Sequence, residues 1–242
     1  MDAIRIENLT KKYKDTVAVD GLTLTVRQGE LLSLLGVNGA GKTTTIKMLS
    51  TLTKPTGGEA FLHGHSILTA ADKVKETIAV SPQETAVAPS LTVIENLRLI
   101  GGIHGFSKEK QEAKIAELFG QFGLSEVANK KAGKLSGGWQ RRLSIAMALI
   151  SEPEVLFLDE PTLGLDVLAR SDLWDLIRSL KGKITILLTT HYMEEAEALS
   201  DRVAIMKDGR LLLCDTVENI KKTAETDSLE QAFVRLVKEA EK

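Results

Sequence analysis

Apolar runs of strand length alternate with helix-like patterns along most of this chain, the arrangement of proteins built on a largely parallel sheet with helices on its faces. The pattern predicts strands over Ala3–Leu9, Leu22–Val26, Leu31–Leu35, Ala60–His63, Ile78–Ser81, Val155–Leu158, Ile184–Thr189, Val203–Met206 and Leu211–Cys214. The first two alternate apolar and polar residues, as half-exposed antiparallel strands do. Val155–Leu158 is continuously apolar and Ile184–Leu188 is apolar apart from Thr185, as suits central parallel strands. Both ends of the chain therefore build the sheet. From about Leu91 to Ile150 the period turns helical. Thr92-Val93-Ile94-Glu95 reads as a capping box, a second helix follows Ser107, and a third starts near Ser136. The expectation is an α/β core with a helical subdomain inserted at about 91–150. Thr223–Asp227 is polar and reads as a linker. Ser228 then caps a short helix with Leu229, Phe233, Leu236, Val237 and Ala240 on one face, expected to dock on the body of the chain.

Composition narrows the function classes. At 242 residues and 43% hydrophobic, the chain can bury a sizeable core. Its 31 Lys and Arg against 33 Asp and Glu leave a formal charge of −2, so no nucleic-acid partner is expected. Cys214 is the single cysteine, set in the apolar stretch Leu211-Leu212-Leu213-Cys214, and reads as a buried, unreactive thiol. No apolar run approaches the roughly 20 residues needed to span a bilayer. The start, Met1-Asp2-Ala3-Ile4-Arg5, lacks a signal-peptide pattern. A soluble, cytosolic protein is expected, whose membrane role would come through a partner.

Three motifs carry chemistry. The strand Leu31–Leu35 runs into Gly36-Val37-Asn38-Gly39-Ala40-Gly41-Lys42-Thr43-Thr44, a match to the phosphate loop G-x-x-x-x-G-K-[ST]. Glycines let the backbone curl so that successive N–H groups point at phosphate oxygens, and the following helix adds its positive end. Asn38, Gly39, Ala40, Gly41, Lys42, Thr43 and Thr44 are thus candidate nucleotide contacts, with Lys42 near the β- and γ-phosphates and the Thr43 hydroxyl on Mg²⁺. Downstream, Val155-Leu156-Phe157-Leu158 ends in Asp159-Glu160, two carboxylates at the end of a buried strand. Asp159 is the candidate Mg²⁺ holder and Glu160 the candidate general base for an attacking water. Taken alone, these two motifs leave kinases, GTPases, helicases and transport ATPases open. The third, Leu135-Ser136-Gly137-Gly138-Trp139-Gln140, opens a helix with a hydroxyl and glycine N–H groups, a second phosphate-binding surface without lysine.

At this point the chain resembles the ABC ATPases, whose signature begins LSGG. The order also matches from Ile4 to Asp215: Tyr13, the phosphate loop, Gln83, the signature, Asp159-Glu160, Pro161-Thr162-Leu163-Gly164-Leu165-Asp166, then His191. The resemblance implies that Tyr13 stacks on adenine, although an early tyrosine alone reads more readily as surface packing. It implies that Gln83 senses Mg²⁺ and γ-phosphate, that His191 contacts γ-phosphate beside Glu160, and that Asp166 crosses to a partner's site. It divides the chain into an ABC ATPase domain over 1–222 and a linker with C-terminal helix over 223–242. His63, His65 and His104 match no motif and read as surface or packing residues. Two positions depart from the family pattern: Val37 replaces a common proline, and Trp139 follows the two glycines in place of Gln or Met.

In the family, two such domains dimerise head to tail, and each ATP lies between the phosphate loop of one and Ser136, Gly137 and Gly138 of the other. The resemblance therefore implies ATP and Mg²⁺ as ligands, and as partners a second nucleotide-binding subunit and integral membrane permease subunits, with the protein peripheral on the cytoplasmic side of the cell membrane. Thr43-Thr44-Thr45, Thr189-Thr190-His191-Tyr192-Met193-Glu194-Glu195-Ala196-Glu197 and Ser228-Leu229-Glu230-Gln231-Ala232-Phe233 resemble type-2 exporters. The alternative is a non-transport ABC ATPase acting on ribosomes or DNA. A single cassette, no room for a coiled coil between Gln83 and Ser136, and a near-neutral charge speak against it.

Overall fold

The computed structural model describes residues 2–240; Met1, Glu241 and Lys242, at the outer ends of the two expected units, lie outside the described residues. Two sheets organise the chain. β1 (Asp2–Tyr13), β2 (Thr16–Arg27), β4 (Gly57–Leu62) and β5 (His65–Ser66) pair antiparallel in the order β2-β1-β4-β5. β3 (Leu31–Leu35), β6 (Ile78–Ser81), β7 (Val155–Asp159), β8 (Thr185–Thr190), β9 (Arg202–Lys207) and β10 (Arg210–Asp215) form the second sheet, in the order β10-β9-β3-β8-β7-β6. All its pairings are parallel except β10 on β9. β3, β7 and β8 are buried along their whole length, the polar Ser33, Asp159, Thr185, Thr189 and Thr190 as well as their apolar residues.

The pleat divides the sheet's side chains between two cores. Leu32 and Leu34 of β3 with Val155 and Phe157 of β7 face the antiparallel sheet, together with Ile46 and Met48 of α1 (Lys42–Leu49) and Val74 of α2 (Ala71–Thr77). Leu31, Leu156 and Leu158 point the other way, into a core shared with α3 (Val93–Ile103), α4 (Lys108–Phe122), α5 (Gly137–Leu149) and α6 (Val167–Leu180). A third cluster joins β9 to α7 (Met193–Leu199), α8 (Val217–Thr223) and α9 (Leu229–Glu239).

The Thr92–Glu95 capping box forms in both directions, Ser107 caps α4, and Ser136 is the residue before α5. Several boundaries differ from expectation. β1 and β2 run on as a hairpin to Tyr13 and Thr16, where Lys12 pairs with Val17 and Tyr13 with Thr16, all four exposed, so no apolar alternation marks the tip. β4 starts at Gly57, before the apolar run, and β8 is shifted by one residue to Thr190. On α9, Leu229, Ala232 and Phe233 are buried and Leu236 and Val237 half-buried, whereas Ala240 is exposed. The helix ends at Glu239, beyond the body it docks on, so Ala232 takes the place in the stripe expected of Ala240. Cys214 is half-buried, accepts a hydrogen bond from Arg202 at 3.0 Å, and burial pushes its thiol up to about 11, which keeps it protonated.

Candidate functional site

The carboxyl ends of β3, β7 and β8 lie side by side, with Leu35 opposite Thr190 and Asp159 opposite Thr189. In an open parallel sheet this edge is where ligands bind. The loop after β3 curls over it. Gly41, at φ +98°, enters α1, and a Cβ there would collide with the carbonyl of Ala18; one on Gly36 would collide with that of Met206. Glycine at these two positions lets β2 and β9 close against the loop. Lys42 is buried to 5% exposure, and its ammonium donates to the carbonyl oxygens of Gly36 at 2.7 Å and Val37 at 3.3 Å. It also lies 3.2 Å from Glu160 Oε1.

Glu160 is held from three sides. Its N–H donates to the Thr189 carbonyl and hydroxyl at 3.1 and 3.0 Å. Its second carboxylate oxygen lies 2.8 Å from His191 Nδ1. A carboxylate only accepts, so the proton of this bond belongs to the imidazole. The backbone of Glu160 adopts φ +48°, a region that costs a non-glycine residue of order 1–3 kcal/mol and persists where the surroundings over-determine it. Beside it, Asp159 Oδ1 accepts from Thr43 at 3.0 Å and from Thr189 at 2.5 Å. An oxygen-only set with one carboxylate and one hydroxyl fits a hard cation that shares its shell with phosphate and water, as Mg²⁺ does.

These side chains border a cleft of about 590 Å³ lined by Tyr13, Asn38–Thr44, Gln83, Glu160, Leu163 and His191. Tyr13 stands at its rim, 45% exposed, with the Lys11 ammonium 4.8 Å from its ring centre. Eleven of the sixteen residues singled out from the sequence thus converge on one cleft, and Asp159 joins them through Thr43. Ser136, Gly137, Gly138 and Asp166 do not. They form a separate surface where α5 and α6 begin: Ser136 and Gly137 are exposed, and a Cβ on Gly138 would come within 3.0 Å of the Ala169 Cβ. Asp166 caps α6, accepting from the Ala169 N–H at 2.9 Å.

A family model described as "ABC transporter" matches residues 19–163, more than half of the chain. The chain belongs to the ABC transporter family. It is 43% identical over 220 residues to the daunorubicin/doxorubicin resistance ATP-binding protein DrrA of Streptomyces peucetius, covering 90% of this chain and 67% of that one. It is 46% identical over 209 residues to the Nod factor export ATP-binding protein I of Burkholderia lata, covering 86% and 68%. Its fold matches that of an ATP-binding cassette solved as a dimer in a post-hydrolysis state with ADP and Pi, at a TM-score of 0.77 and 27% identity over 88% of this chain and 98% of that one. This ABC cassette is an ATPase, and its α/β architecture is that of the family's nucleotide-binding domains.

Three residues of the cassette escape motif reading. Thr189 joins Asp159 to Glu160; its only sequence signal is a pair of threonines closing an apolar strand. Glu195 is fully buried on α7, accepts from Trp174 Nε1 at 3.1 Å, and is held above the usual carboxylate range by burial, partly offset by hydrogen bonding. Arg141 is buried on α5 at 4% exposure, and neither position carries a signal beyond an ionisable residue on an otherwise apolar face.

Proposed function

We propose that this chain is the energising subunit of a membrane exporter, in which ATP drives two such cassettes together head to tail and hydrolysis releases them. The supporting observation is the convergence of Lys42, Glu160 and His191 on one cleft beneath a glycine loop, with a second phosphate-type surface, Ser136-Gly137-Gly138, turned away from it. One fold cannot bring both surfaces to one nucleotide, so a second cassette must supply the other half.

In this reading Tyr13 stacks on the adenine, and the backbone of Asn38–Thr44 and the Lys42 ammonium hold the phosphates. Thr43, Asp159 and Gln83 would hold Mg²⁺, which would neutralise charge between the β- and γ-phosphates. Glu160 accepts the proton of the attacking water as its oxygen bonds to the γ-phosphorus, and ADP leaves with the bridging oxygen. His191 fixes the Glu160 carboxylate through its 2.8 Å hydrogen bond. Ser136, Gly137, Gly138 and Asp166 complete the partner's site. Residues 1–222 form the ATPase unit, with 91–150 as its helical insert, and 223–242 a linker and docked helix. No helix among the described residues is long and apolar enough to cross a membrane. Integral permease subunits would carry the substrate path, with the cassette peripheral on the cytoplasmic side and no nucleic acid involved.

The test is to trap Glu160→Gln with ATP in native cells and identify what copurifies. The variant should bind ATP yet turn over at least about 100-fold more slowly, the lower bound for a general base. A multi-spanning membrane protein in the pull-down is the expected result. Ribosomes or DNA-associated proteins without a membrane partner would overturn the transporter reading.

A further inference from the structure

α5 begins at the Ser136-Gly137-Gly138 surface, where Ser136 and Gly137 are exposed, and buries most of its remaining length. One turn in, the buried Arg141 guanidinium donates one N–H to the Pro82 carbonyl at 2.6 Å and another to the Gln83 carbonyl at 2.5 Å. One turn further, the buried Ser144 hydroxyl meets that of Ser81, the last residue of β6, at 3.0 Å. The first two turns of α5 are therefore pinned to the end of β6 and to the backbone that carries Gln83. The same segment is gripped further along. Asn96, fully buried, bonds both the N–H and the carbonyl of Ala88. Ala132 and Gly133, just before the signature, donate to Leu91 and Pro89. The stretch from Gln83 to Leu91 and the start of α5 thus form one hydrogen-bonded body.

The choice of arginine has a physical reason. Two carbonyls that follow a buried strand need donors, and a planar fork satisfies both at once, whereas a lysine presents a point charge to either. Burial lowers the Arg141 pKa, and Asp159 and Glu195 oppose that shift, so the cation sits among the carboxylates under the cleft.

We infer that Arg141 is a positioning residue that couples Gln83 in one nucleotide cleft to the signature surface serving the other. Displacement of the Gln83 backbone moves the first turn of α5 with it, and Ser136 with that turn. The state of one cleft thereby sets how well this cassette completes its partner's. This rests on the proposed head-to-tail pairing and adds to it the side chain that joins the two sites within one subunit.

The test uses Arg141→Lys and Arg141→Met in the full chain. In the Glu160→Gln background, binding of a fluorescent ATP analogue to the monomer and ATP-driven dimerisation by sedimentation are measured separately. With Glu160 intact, the Hill coefficient of ATP hydrolysis is read. The expected result is monomer affinity within about 2-fold of the parent, dimerisation weakened at least 10-fold, and a Hill coefficient falling towards one. Unchanged dimerisation and cooperativity would overturn the inference. So would parallel losses of nucleotide affinity, dimerisation and melting temperature, which would mark a purely structural role. Should Arg141→Met fail to fold, Arg141→Lys, which keeps the cation and loses the fork, decides the matter. A Glu160→Gln parent that forms no dimer with ATP would overturn the functional reading itself, and the inference with it.

Discussion

The buried charges under the cleft nearly balance one another, and Glu195 decides how nearly. Lys42 and Arg141 face Asp159, Glu160 and Glu195, all at 5% exposure or less. Ionising all three acids would leave an excess negative charge beside the Glu160 carboxylate, and the raised pKa of Glu195 works against that excess. Burial dominates the upward shift at Glu195, the hydrogen bond from Trp174 opposes it, and the charge of Glu160 adds to it. Between the ordinary and the raised pKa the folded state therefore binds more protons at this position than the unfolded chain does. Linkage then has stability fully present below the ordinary carboxylate pKa and declining as pH rises through the raised value. Glu195→Gln, which keeps the volume, should flatten this segment when urea unfolding is compared between about pH 5 and pH 8. A variant with the wild-type slope would clear Glu195 of the effect. Such a residue was not legible in the sequence, where it is one acid among Glu194, Glu195 and Glu197 at the start of a helix. Lys42, Thr43, Asp159 and Glu160 were legible, because a phosphate loop and a strand-end acid pair are local patterns. Thr189 and Arg141 act through neighbours 29 to 59 positions away, which spacing alone cannot reveal.

Among elements, those whose ends are fixed by local hydrogen bonding were the easiest to read. α3 starts where Thr92 and Glu95 satisfy each other's backbone N–H groups, with the Glu95 carboxyl held below its usual range by the Thr92 bonds. Thr92 also bridges to Lys131, so this cap anchors the insert at the point where the Gln83 segment enters it. Thr92→Ala should cost about 1 kcal/mol, the usual loss for an N-cap, read as a lower urea midpoint with unchanged slope. A midpoint equal to the parent's would show that tertiary packing alone sets this start. Elements defined by distant pairing were read less well. The exposed ends of β1 and β2 are strands only because they face each other. α2 and α8, seven residues each, bury one and two residues, too few to print a helical stripe on the sequence.

For the whole molecule, what matters is the surface that would close on a second cassette. Immediately after Asp166, Val167 and Leu168 stand 69% and 78% exposed on the first turn of α6. Singly exposed apolar residues are ordinary, but these two adjoin Gly138, whose missing Cβ lets Ala169 approach, and so extend the Ser136-Gly137-Gly138 surface with an apolar step. Head-to-tail closure would bury that step together with Asp166 and the signature, adding non-polar contact area to the phosphate contacts. Leu168 borders no part of the nucleotide cleft. Leu168→Glu should therefore leave ATP binding by the monomer intact and weaken ATP-driven dimerisation about 10-fold, since a buried unpaired carboxylate costs well over the 1.4 kcal/mol that a tenfold change requires. Sedimentation of the Glu160→Gln protein with and without this change separates the two readings. A dimer of undiminished affinity would place Leu168 outside the interface and require the two cassettes to meet along a different face of α6.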